Sequence, residues 1–260
     1  ARGPNNSLTL AEASGNSAMG EASRIISSGR ADIMLCGSTG SRIHPVKCLH
    51  AALWDELASY DDADPSTWCR PFDASRRGQV VGEGACTFLF EEEEHARSRG
   101  ATVYGTVLGT GSSCVISRDG IPDQRTALAN AMRLALSDAD LTPADVGHVN
   151  ANGLGERQAD LNEAAAIRDV FGDRASTVPV TAPKSFLGNS GAACGTLELA
   201  ASLFSLRHGV VPATINCNDL DEECGLNVVR GGHLAIENKV VLNVNVTTNG
   251  QAAAIVVCGA

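Results

Sequence analysis

Arg70-Pro71-Phe72-Asp73, then Gly78, then Val81-Gly82-Glu83-Gly84-Ala85 running on to Phe90, and finally Glu91-Glu92-Glu93-Glu94: this stretch decides the fold. The glycines at 78, 82 and 84 lead into an apolar run that reads as a strand over residues 85–90. The four carboxylates that follow open a helix, because acidic side chains in a first helical turn face the positive end of the macrodipole. A solvated helix start accounts for them without a metal.

The same alternation extends to both sides. Upstream, residues 7–11 alternate weakly and read as a short strand running into Glu12. Ser14 is placed to cap a helix in which Ala18, Met19, Ala22, Ile25 and Ile26 recur at helical spacing, and Gly29 falls where a left-handed C-terminal residue is expected. Ile33-Met34-Leu35-Cys36-Gly37 reads as a buried strand, so strand, helix and strand predict a parallel βαβ unit. Residues 44–70 are polar and punctuated by aromatics. Downstream, strands are expected at 103–108, 146–150, 178–181, 240–246 and 252–258. Helices are expected at 125–137, at 160–171, and after Gly191-Ala192-Ala193 as far as about His208. The pattern predicts a layered α/β fold around a buried sheet. Gly109-Thr110-Gly111 follows a strand but lacks the third glycine and later acidic residue of a dinucleotide site, so no nucleotide is expected there.

The chain has 260 residues, 43% hydrophobic and 19% charged, which suits one sizeable core or two halves. A formal net charge of -10 disfavours nucleic acid and anionic membranes, since a surface of like sign releases no counterions. No apolar run is long enough to span a bilayer. Ala1-Arg2-Gly3-Pro4-Asn5-Asn6 has neither a signal core nor basic amphipathic character, and reads as the middle of a longer sequence. The nine cysteines, an odd number without a Cys-x-x-Cys pair, read as reduced core thiols of a cytoplasmic protein. Neither metal nor cofactor is expected.

The opening stretch, together with Lys184-Ser185-Phe186-Leu187-Gly188 continuing into Gly191-Ala192-Ala193, and Pro212-Ala213-Thr214-Ile215-Asn216, resembles in order and spacing the β-ketoacyl synthases that build fatty acids and polyketides. The resemblance implies a thiolase-like αβαβα layered sandwich of two related halves. Residues 1–100 would be the remnant of the first half, from the nucleophile position onward, and residues 101–260 the second. It also implies a chemistry: a cysteine at a helix N-terminus takes an acyl chain from acyl carrier protein as a thioester, and two histidines assist decarboxylation and condensation. A helix N-terminus favours thiolate, and imidazole donors stabilise an enolate.

All three positions hold other residues. In Ala11-Glu12-Ala13-Ser14-Gly15, Glu12 stands at the cysteine position; Asn152 in Asn152-Gly153-Leu154-Gly155-Glu156 stands at the first histidine, with Asp160 and Glu163 downstream still fitting; Asn189 stands at the second. Thr247-Thr248-Asn249-Gly250-Gln251 replaces a gating loop rich in phenylalanine and glycine. A carboxylate at a helix N-terminus is favoured by roughly 0.3 to 1 kcal/mol, but it cannot carry a stable thioester. Lys184 is the charged site residue that remains, and a carboxylate such as Glu12 or Glu198 is its expected partner. Of the histidines at 44, 50, 95, 148, 208 and 233, none falls on a motif position, and His148 lies nearest to one.

The expected function is that of a non-condensing partner similar to chain-length-factor subunits. The alternatives are an acyltransferase, decarboxylase or hydrolase with an altered site, and a degenerate scaffold. An apolar tunnel ending at Glu12 would suit acyl binding, whereas an ion pair between Glu12 and Lys184 would suit a scaffold. Because the resemblance starts shortly before Glu12, the first half is expected to be incomplete, and exposed edges and apolar faces to follow. A homodimer, or a heterodimer with a ketosynthase, is expected, with residues 7–11 at the contact and acyl carrier protein or an acyl thioester as ligand.

Overall fold

A computed structural model describes residues 3–59 and 64–260. Ala1, Arg2 and residues 60–63, parts of the N-terminal stretch and of the 44–70 segment, lie outside the described residues. The helices are α1 (Ser14–Ser27), α2 (Pro45–Trp54), α3 (Glu93–Ser98), α4 (Gln124–Asp138), α5 (Arg157–Phe171), α6 (Lys184–Leu187) and α7 (Cys194–Leu206). The strands are β1 (Ile33–Ser41), β2 (Glu83–Glu91), β3 (Gly105–Cys114), β4 (His148–Asn150), β5 (Pro179–Thr181), β6 (Val210–Val211), β7 (Asn227–Val228), β8 (Leu234–Ala235), β9 (Val240–Val246) and β10 (Gln251–Gly259).

Six strands form one mixed sheet in the order β3-β10-β9-β4-β5-β7, parallel from β9 through β7 and antiparallel at β10. Helices α4 and α5 supply one apolar cluster with this sheet, including Leu128, Met132, Ile167, Leu242 and Val256. On the other face α1 and α7 form a second, with Met19, Leu199, Leu206, Val241 and Ile255, and beyond them lies the β1-β2 ladder. These stacked layers are those of the thiolase-like fold.

Gly109 and Gly111 are packing glycines inside β3. A Cβ on Gly109 would meet the carbonyl oxygen of Ala135 at 2.4 Å, and one on Gly111 that of Ala131 at 2.2 Å. They let α4 settle on the sheet. Gly29 has φ +68° and closes α1 through Gly29 N to Ile26 O and Arg30 N to Ile25 O, the pairing of a Schellman end.

Four local expectations fail. The 33–41 strand pairs antiparallel with 83–91, so no parallel βαβ unit forms there. Nor is it buried throughout, since only Cys36 is enclosed and Leu35 is 72% exposed: helices cover one face of the ladder and nothing among the described residues covers the other. Residues 7–10 form no strand, because no neighbouring strand offers them a ladder. Leu10 N instead donates to Ser14 Oγ at 2.8 Å, which makes Ser14 the first residue of α1 rather than its cap.

Candidate functional site

The loop after β4 is held from behind. Asn152 N and Gly153 N donate to the two carboxylate oxygens of Glu163 at 2.6 and 2.8 Å, and Leu154 N and Gly155 N donate to Asp160 Oδ1 at 2.9 and 3.1 Å. Gly153 and Gly155 take φ of +44° and +84°, which the tight turn requires. Asp160 Oδ2 also accepts from Phe72 N at 2.9 Å and faces Arg76 at 3.3 Å, so the Arg70-Pro71-Phe72-Asp73 motif and the loop share one buried carboxylate. Burial pushes Glu163 up to about 7 and raises Asp160 as well, against the backbone donors that favour their charged forms.

This scaffold presents Asn152, which is 2% exposed. Its Oδ1 accepts from Lys184 Nζ at 3.0 Å and Asn245 Nδ2 at 3.3 Å, while its Nδ2 has no hydrogen-bond partner among the described residues. Lys184 Nζ donates further to Asn152 O at 2.7 Å and Glu198 Oε1 at 2.6 Å, and Asn245 Nδ2 donates to Glu198 Oε2 at 2.7 Å. Burial alone would lower the Lys184 ammonium; the adjacent Glu198 charge overcomes it and holds it above the usual lysine range. Asn16 and Asn243 continue this network between α1 and β9.

Glu12 lies in the tight turn over Ala11–Ala13 that leads into α1. Ala11 has φ +43°, the left-handed region that a residue with a Cβ enters at a cost. The Glu12 carboxylate accepts from Asn189 Nδ2 at 3.0 Å and lies 3.5 Å from Arg42 Nη1. Arg42 in turn pairs with Asp55 and donates to Gln79 Oε1 at 3.0 Å; Gln79 Oε1 also accepts from Asn189 Nδ2 at 2.6 Å, and its Nε2 donates to Glu156 at 2.8 Å. Burial is the main cause that pushes Glu156 up to about 7, with Glu56, Asp55 and Asp160 adding to it against the Gln79 hydrogen bond.

Glu12 and Asn152 thus share the lining of one cavity of about 350 Å³, with Arg42, His50, Gln79 and Thr248. Asn189 stands behind Glu12, and Lys184, at 1% exposure, stands behind Asn152. Of the two expected partners, Lys184 has taken Glu198, and Glu12 has taken Arg42. The cavity is no apolar tunnel, because charged and amide side chains line its wall. His148 is buried in the core, with Nε2 on Ser202 Oγ at 3.1 Å, and burial pushes it down to about 3, so it is a neutral packing residue. His50 lines the cavity instead.

Reading the sequence missed Arg42 and Gln79, whose partners are distant along the chain and follow no local spacing. Asn243 and Asn245 left a visible signal: polar residues recurring within the apolar run Val240–Val246. The thiol that touches Asn189, Cys194, is enclosed and pushed up to about 11 by burial, which makes it a packing thiol rather than a thiolate. Chemically, the cavity offers a clamped carboxylate and one polarised amide donor.

Residues 1–96 match the model of the β-ketoacyl synthase N-terminal domain and residues 104–218 that of its C-terminal domain. The chain is similar to the tetracenomycin polyketide synthase ketoacyl synthase alpha subunit of Streptomyces glaucescens, 39% identical over 98% of this chain and 60% of that protein. Among solved structures it is similar to the ishigamide ketosynthase/chain length factor, with TM-score 0.86 and 32% identity over 98% of this chain and 60% of that one. It is also similar to a type II polyketide synthase ketosynthase in complex with its acyl-carrier protein, with TM-score 0.89 and 29% identity over 96% and 62%. The chain therefore spans about 60% of the length of the relatives it matches.

Proposed function

The chain belongs to the β-ketoacyl synthase family, and from that premise we propose that it is a member without condensing activity, acting as a chain-length-factor-like partner of an intact ketosynthase. One observation carries the reading: at the nucleophile position stands a carboxylate that Asn189 and Arg42 both hold. A carboxylate cannot keep an acyl chain as a stable thioester, and amides at Asn152 and Asn189 replace both imidazoles. Loss of one member of a cooperating catalytic set costs roughly 10⁴ to 10⁶ in rate in a well-studied protease, and further losses add little.

Exposed apolar side chains support a partner. Ile33, Leu35 and Leu89 lie open on the ladder, and Val46, Leu49, Leu53 and Trp54 form a stripe at helical spacing along α2. The relatives support a ketosynthase as the partner and an acyl carrier protein as the ligand; a second copy, an acyl thioester and a cytoplasmic setting remain part of the proposal on the sequence reading alone. Residues 1–100 and 101–260 would then be the two halves of the layered unit.

Co-expression with an intact ketosynthase, followed by analytical ultracentrifugation, tests this: a stoichiometric complex is expected, and a monodisperse monomer with and without the ketosynthase overturns it. Incubation of the chain with malonyl- and acyl-carrier protein should yield neither carbon dioxide nor an acyl adduct by mass spectrometry. Asn152, which lines the cavity with its Oδ1 held by Lys184 and its Nδ2 without a partner among the described residues, favours a second reading, an enzyme of altered chemistry. Carbon dioxide release abolished by Glu12→Ala would establish that reading in place of the first.

A further inference from the structure

We propose that Glu12 is a built-in occupant of a carboxylate site: the chain fills with its own side chain a position shaped to hold a carboxylate, and so keeps free carboxylates and anionic acyl groups out of the cavity. The inference deepens the reading above by naming what that site excludes.

Two donors meet the Glu12 carboxylate, and both are held by other parts of the chain. Asn189 is fixed without reference to Glu12: its backbone N donates to Val80 O at 2.7 Å, its Oδ1 accepts from Gly191 N at 2.9 Å, and its Nδ2 also donates to Gln79 at 2.6 Å. Arg42 is likewise fixed by Gly82 O, Gln79 Oε1 and Asp55. Gln79, in turn, is anchored by Glu156 and by backbone bonds to Glu56 and Ala58. An amide N–H and a guanidinium therefore converge on one point without needing Glu12 to place them, and a preset pair of this kind recognises a carboxylate. The left-handed turn at Ala11 then bends the chain to deliver Glu12 onto that point.

Lys47 and His50 line the same cavity, in which Asp55 is paired with Arg42. With Glu12 in place, a second carboxylate meets one of like charge at donors already engaged, whereas a neutral acyl group meets only the polar wall and the Asn152 donor. Truncating Glu12 should vacate the site and leave its donors standing.

The test is thermal unfolding of the whole chain with sodium acetate against sodium chloride at constant ionic strength, with acetamide as the neutral analogue. Acetate should raise the Tm of Glu12→Ala saturably, with an apparent affinity roughly tenfold or more above that of the unsubstituted chain. Arg42→Gln in the Glu12→Ala background should abolish the effect, and acetamide should not reproduce it. If Glu12→Ala does not fold, Glu12→Ser is the second variant. An equal acetate response in the unsubstituted chain, no response in the folded variants, or a response matched by acetamide overturns the proposal. No ketosynthase or carrier protein takes part, so this outcome is separable from that of the assembly experiment.

Discussion

Of the three sheets among the described residues, the six-stranded one and the β1-β2 ladder are built from similar apolar runs and end in opposite states. In the six-stranded sheet, β9 and β10 are enclosed along nearly their whole length, because α4 packs on one face while α1 and α7 pack on the other. In the β1-β2 ladder the same α1 and α7 cover one face only, and burial alternates residue by residue, with Ile33 44%, Leu35 72% and Leu89 53% exposed. An apolar run states that a strand wants cover. How many faces receive it depends on the elements packed around it.

The difference can be broken most forcefully in the body. Lys184→Met removes the cation and leaves Glu198 buried and uncompensated, and a destabilisation on the order of 3–5 kcal/mol is expected by chemical denaturation. The exposed pair Arg24–Glu21, 3.4 Å apart on α1, is the surface counterpart, and its removal by Arg24→Ala should cost under about 1 kcal/mol. A small loss at Lys184 would mean that water reaches the pair.

Apolar truncation compares the sheets directly. Leu242→Ala, on fully enclosed β9, should cost about 2–5 kcal/mol, and Leu35→Ala on the ladder should stay within about 0.5 kcal/mol. A cost above roughly 2 kcal/mol at Leu35 would show that a copy of the chain covers the open face in solution, and a concentration-dependent Tm would accompany it.

Much of this architecture was legible beforehand. Residues 240–246 and 252–258 announced β9 and β10 by their apolar runs, broken in β9 by Asn243 and Asn245, and Gly29 announced the end of α1. The pairing of β1 was not legible, since a short apolar segment has the same appearance beside a parallel or an antiparallel neighbour. Residues 7–11 failed for a related reason: alternation encodes a strand, while the ladder that makes it one is not local. At the site, Glu12, Asn152, Asn189 and Lys184 followed from motif positions, and charge left Glu198 as one of two carboxylates expected beside Lys184. Arg42 and Gln79 did not, because a guanidinium that meets Glu12 across 30 residues and Asp55 across 13 leaves no periodic trace.

A further small effect is expected at Ala11, in the turn that lines the cavity and packs on the six-stranded sheet. Its φ of +43° places a Cβ against the following carbonyl, a cost of roughly 1–2 kcal/mol that glycine does not bear. Glycine also widens the unfolded ensemble, which takes back about 0.4–1 kcal/mol. Ala11→Gly should therefore stabilise the chain by roughly 0.5–1 kcal/mol. Ala13, two residues on, has φ −77° and is the internal control: there the same exchange relieves nothing, and Ala13→Gly should destabilise by at least about 0.5–1 kcal/mol. Opposite signs at neighbouring positions, read from denaturation midpoints at unchanged m-value, would establish that the turn carrying Glu12 is held under strain. Equal signs would mean that the turn relaxes in solution, and the delivery of Glu12 to its donors would then need another cause.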